Sequence, residues 1–163
     1  VVELALYGQL TRMGYWPCVI EKAFLKMKED TESGDDISEC LELITGSSVK
    51  KVNLEPENLE ALGDNLEDWN SNKQAMVVVS KNEKNKKNLN FYPLHPFTIM
   101  KVNNPLKRVT LRDPYGPNHR ALQESKNKTR ARNLKQDGIF SISFEELATN
   151  FDTLFVEEQE SPT

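Results

Sequence analysis

"YPLHPFTIMKVNNPLKRVTLRDPYG", residues 92–116, decides the fold. Phe97, Ile99, Val109 and Leu111 alternate with Thr98, Met100, Arg108 and Thr110, the period of two strands that rest one face on a core. Asn103, Asn104 and Pro105 supply the turn between them. A shared apolar face pairs Ile99 with Val109 and Phe97 with Leu111, because a slip of one residue would turn one strand inside out. The same register sets His95 opposite Asp113, with Cβ atoms roughly 5 Å apart. Their side chains are then expected within a hydrogen bond, or one water away, opening onto a concave surface rather than the core. Two meanings fit such a pair. It is a surface contact at a strand end, or it is the orienting half of a nucleophile, histidine and acid triad, in which the acid fixes one tautomer and stabilises the imidazolium.

Composition narrows the classes of function. A chain of 163 residues suits one domain with a real core. With 28% charged residues, a net charge of -4 and a mean hydropathy of -0.61, bulk attraction to nucleic acid is not expected. No apolar run approaches the roughly 20 residues of a membrane span, and the first residues form neither a signal nor a transit peptide. Cys18 and Cys40 belong to no CxxC motif or Cys/His cluster, which predicts a reducing, cytoplasmic setting. Val1 in place of methionine is expected of either a fragment of a longer protein or a trimmed chain.

Outward from the hairpin, Trp16, Val19, Ile20, Ala23, Phe24 and Met27 recur at helical spacing. An acidic loop follows, and Ile37, Cys40, Leu41 and Ile44 predict a short helix stopped near Gly46, with Cys40 an inert thiol on its apolar stripe. "VKKVNL" is read as a short strand. Leu59, Leu62, Leu66 and Trp69 mark a third helix, and "AMVVVS" (75–80) a buried strand before the solvated run "KNEKNKKN". Beyond the hairpin, residues 117–136 carry Arg120, Lys126, Lys128, Arg130, Arg132 and Lys135 with no interleaved aromatics, a solvated loop rather than a nucleic-acid surface. "GIFSISFEELATNFDTLFVEE" predicts strand, short helix and strand, with Ser143 as N-cap and Glu146 completing a capping box. Helices first and antiparallel strands later give an α+β fold, an antiparallel β-sheet flanked by helices, without internal repeats. The acidic end "EEQESPT" is expected to fray.

Five segments, in order, resemble the C-terminal half of the calpain protease core, a papain-like fold. "YWPCVIEKAFLKM" resembles the family's F-W-x-x-L-x-E-K-A-Y-x-K-L helix, and "ISECLELITGSSV" its short helix ending in F-T-G-G. "LHPFTIMKV" stands where the family has G-H-A-Y-S-V, and "VTLRDPYG" where it has I-R-L-R-N-P-W-G. "DGIFSISFEELATNFDTLFV" resembles D-G-E-F-W-M-S-F-x-D-F. The resemblance covers residues 15–156, with residues 1–14 as a lead-in and 157–163 as the acidic tail.

What the resemblance implies is cysteine-type peptide cleavage, with His95 as the catalytic histidine and Asp113 at the position of the family's asparagine. The nucleophilic cysteine would come from an upstream half absent here, because nothing in the chain resembles its Q-x-x-x-x-x-C-W-type helix. The chain alone is expected to be inactive, and its partners would be that upstream half and a polypeptide substrate or protein partner, with no nucleic acid and no membrane. Leu94 and Pro96 flank His95 where the family has glycine and alanine, Tyr115 replaces a tryptophan, and Ile139 replaces a glutamate. These departures lean toward the alternative of a catalytically inactive calpain-like interaction or scaffold module. A third reading, an unrelated α+β binding domain, would require the order of five motifs to be chance. No cofactor is expected. Asp137 is a weak calcium candidate, since only Glu124 remains near the family's other ligands and calcium wants about six to eight oxygens.

Overall fold

The period-2 segments pair into one sheet. In this computed structural model the strands are β1 (Val49–Asn53), β2 (Met76–Ser80), β3 (Pro96–Asn103), β4 (Arg108–Arg112), β5 (Ile139–Ser143) and β6 (Phe151–Glu157). Their order is β1-β6-β2-β3-β4-β5, and every neighbouring pair is antiparallel. Among the described residues three α-helices accompany them: α1 (Ile37–Thr45), α2 (Leu59–Ser71) and α3 (Phe144–Asn150). The α+β expectation holds.

The chain divides into two units, Val1–Asp36 and Ile37–Thr163. The structure describes residues 37–82, 91, 93–114 and 138–159, all in the second unit. The helix expected from Trp16, with Cys18 and Phe24, lies outside the described residues. So do Tyr115, Glu124, Asp137 and the basic stretch 117–136.

The core forms on the sheet face that collects Val78, Phe97, Val109, Leu111, Phe151 and Leu154, each at most 1% exposed. Leu62 and Leu66 of α2 and Phe144 and Leu147 of α3 close that face, and Trp69 packs at its margin. Gly63 lets α2 come close: a Cβ there would stand 2.7 Å from both Asn104 Oδ1 and a ring carbon of Phe144. The capping box forms as expected, with Ser143 Oγ accepting from Glu146 N–H and Glu146 Oε2 accepting from Ser143 N–H.

Three expectations need correction. In α1 no residue is buried, Cys40 is half-buried, and Leu43 and Ile44 are exposed, so its apolar stripe is not a core stripe. The first residues of the acidic tail are tied down rather than frayed. Glu157 ends β6 and its carboxylate accepts from Ala75 N–H and Ser47 Oγ–H, while Gln159 donates to the Asn72 carbonyl.

The third correction concerns the hairpin register. Ile99 faces Leu111 rather than Val109, and Val102 faces Val109. The turn is longer than read, because Asn103 pairs with Arg108 and the reversal runs through Asn104, Pro105, Leu106 and Lys107. Lys107, at φ 49, donates its N–H to the Asn104 carbonyl, and Asn103 Oδ1 accepts from Leu106 N–H. A bulge between Ile99 and Lys101 then restores the faces, leaving Met100 and Lys101 exposed in succession and Val102 buried.

Candidate active site

His95 and Asp113 meet at the end of the core face where β2 and β4 finish and β3 begins. His95 Nε2 lies 3.0 Å from Asp113 Oδ1, and the two side chains are 8% and 5% exposed. Continuing the observed register sets Phe97, not His95, directly opposite Asp113. His95 stands one pleat further along the same face, and its ring spans the diagonal, a distance long side chains can bridge. The contact expected from the sequence forms, by a different route. An ionised carboxylate can only accept a hydrogen bond, so it selects the tautomer with the proton on Nε2.

The imidazole is buried rather than lying open at the surface. His95 is 7% exposed and its ring meets Phe97 edge-on, with centroids 4.7 Å apart. Phe97 in turn contacts the rings of Phe91, Phe140 and Phe151. This aromatic floor holds the imidazole from below and keeps water from the histidine and acid pair, which strengthens their interaction. Asp113 is held through its backbone: its N–H donates to the Gly138 carbonyl at 3.0 Å. Gly138 itself sits at φ 71, which a residue with a Cβ rarely adopts.

Backbone on the His95 side is unusual. Leu94 has φ 53 and is 58% exposed, and Pro96 opens β3 where its missing N–H is tolerated. Proline also confines the preceding residue to extended conformations, so His95 is limited from its C-terminal side. Ser80, 1% exposed at the end of β2, grips both residues. Its carbonyl accepts from Leu94 N–H (3.1 Å), its N–H donates to the His95 carbonyl (3.0 Å), and its Oγ accepts from His95 N–H (2.8 Å). In the sequence Ser80 is marked only as the last residue of a buried strand. The available signal was a hydroxyl at the position where the apolar run of β2 continues inward.

Cys40 does not join this site, for α1 packs on β1 and β6 whereas Asp113 follows β4, three places from β6 in the sheet. Ile139 is the half-buried first residue of β5, so an apolar side chain stands where the family motif has glutamate. Among the described residues no group of three or more His, Cys, Asp or Glu could hold a metal ion, and no helix is long and apolar enough to cross a membrane. The calcium candidate Asp137 lies outside the described residues.

A protein-family model described as calpain family cysteine protease matches residues 3–157. A search of curated proteins finds no match for the chain.

Proposed function

The chain belongs to the calpain family of cysteine proteases, and from that premise we propose that it supplies the histidine and the acid of a peptide-cleaving site. In this reading the nucleophilic cysteine stands on an upstream half that residues 1–163 do not include. The observation that carries it is the buried contact between His95 Nε2 and Asp113 Oδ1 at 3.0 Å, in the family's order of segments.

With Nε2 committed to the carboxylate, Nδ1 is the nitrogen that would exchange a proton with the thiol. The thiolate attacks the peptide carbonyl carbon, His95 protonates the leaving amine, and an acyl-enzyme thioester remains. Water, deprotonated by His95, then hydrolyses the thioester and regenerates the thiol. Asp113 would hold the ring's tautomer and orientation throughout.

A second reading is an inactive calpain-like interaction module. It is favoured by the 7% exposure of His95 and by leucine in a left-handed conformation where the family has glycine. Peptide cleavage measured for this chain alone and joined to its upstream half separates the two. The protease reading predicts no activity alone and activity when joined; no cleavage in either form would favour the module.

A further inference from the structure

We propose that Ser80 is a positioning residue for His95, replacing by its hydroxyl a ladder bond that the turn at Leu94 takes away. The assignment rests on the catalytic reading of His95, but the geometry stands independently of it. In a regular antiparallel pair, the facing residues Ser80 and His95 would exchange two backbone bonds. Only one forms, from Ser80 N–H to the His95 carbonyl. The Ser80 carbonyl is engaged by Leu94 N–H instead, since at φ 53 Leu94 turns its amide toward β2. His95 N–H would then be a buried donor without a ladder acceptor, and Ser80 Oγ accepts it at 2.8 Å while its own proton can reach the His95 carbonyl at 3.3 Å.

On its other side, Val79 faces Thr153 but Ser80 faces Phe151, so β6 carries one extra residue, a bulge, opposite the end of β2. Ser80 thus fixes the backbone at 94 and 95 from one side while Pro96 limits it from the other. The ring must span a diagonal to reach Asp113, so a modest rotation of the His95 backbone would break the contact.

Nitrogen-15 spectra of the histidine rings test this in the 163-residue chain, with His119→Gln used to assign the two histidines. Ser80→Thr and Ser80→Val add nearly equal bulk and differ in the hydroxyl. Wild type and Ser80→Thr should show one His95 tautomer and a ring Nε2–H that exchanges slowly. In Ser80→Val the tautomers should mix and that proton should exchange at least tenfold faster, with the backbone amide spectrum otherwise preserved. Wild-type ring signals in a folded Ser80→Val protein, or equal loss in Ser80→Thr, would overturn the proposal. Should Ser80→Val fail to fold, amide exchange in the wild type decides. Leu94 and His95 amides protected as well as those of β2 support it, and exchange as fast as an exposed loop overturns it. None of these signals depends on cleavage, so an inactive protein would count against the protease reading and leave this one standing or falling by its own data.

Discussion

Phe97 stands between His95 and the core, its ring meeting the imidazole edge-on at 4.7 Å while its backbone takes the place opposite Asp113. The residue that supports the pair is therefore also part of the aromatic cluster that fills the core. Phe97→Ala should cost roughly 3–5 kcal/mol in a denaturant melt, from lost transfer energy and the cavity left behind. A loss below about 0.5 kcal/mol, the range of an exposed position, would contradict the packing.

The pair itself should be asymmetric. His95→Ala leaves the Asp113 carboxylate, at 4% exposure, without its imidazole. Loss of one hydrogen-bonding partner from a buried group typically costs roughly 1–3 kcal/mol, and more when that group is charged. Asp113→Asn keeps an amide oxygen for Nε2–H and removes the charge, so it should cost less. Chemical denaturation of both variants checks the order; a neutral His95→Ala would mean the contact does not form in solution.

How far the sequence reached is clearest in the hairpin. Face assignments at Phe97, Ile99, Val109 and Leu111 follow from alternation and hold. Partner assignments do not, because alternation fixes which face a residue uses but leaves the register free by steps of two. The turn's length, set by the bond between Lys107 and Asn104 and by the Asn103 side chain, supplied the missing constraint. Lys101 carried the signal for the bulge: strict alternation would have aimed its charge into the core. The His95–Asp113 contact was legible because a two-residue slip preserves the face and an imidazole can reach across a diagonal. Ser80 was not legible, since its role depends on the backbone of Leu94, which no side-chain pattern records.

Gly63 separates packing from propensity. Alanine is a better helix former than glycine by about 1 kcal/mol. At this position its Cβ would meet Asn104 and Phe144 at 2.7 Å, and overpacking of this kind typically costs about 1–3 kcal/mol. Gly63→Ala should therefore lower Tm. A higher Tm would mean that α2 sits further from α3 and the β3–β4 turn than described.

Leu94→Gly tests the strained turn beside the histidine. The left-handed conformation costs a residue with a Cβ about 1–2 kcal/mol. Glycine removes that cost but makes the unfolded chain more flexible, by about 0.4–1 kcal/mol. With Leu94 58% exposed, little burial is lost, so the thermal melt should show an unchanged or slightly more stable protein. Destabilisation beyond about 1 kcal/mol would contradict a strained, solvent-facing Leu94.

The capping box offers a smaller effect. Ser143→Ala removes the acceptor for Glu146 N–H at the start of α3 and should cost about 1 kcal/mol. Equilibrium unfolding resolves a change of that size, and no change would mean the cap contributes nothing beyond what water supplies.

Cleavage of an unfolded polypeptide, measured in the protein that joins this chain to its upstream half, tests the proposed role of His95 most directly. His95→Ala should abolish turnover, while Cys18→Ala and Cys40→Ala should leave it intact. Turnover that survives His95→Ala, or disappears with either cysteine of this chain, would contradict a site in which His95 and Asp113 serve a thiolate carried elsewhere.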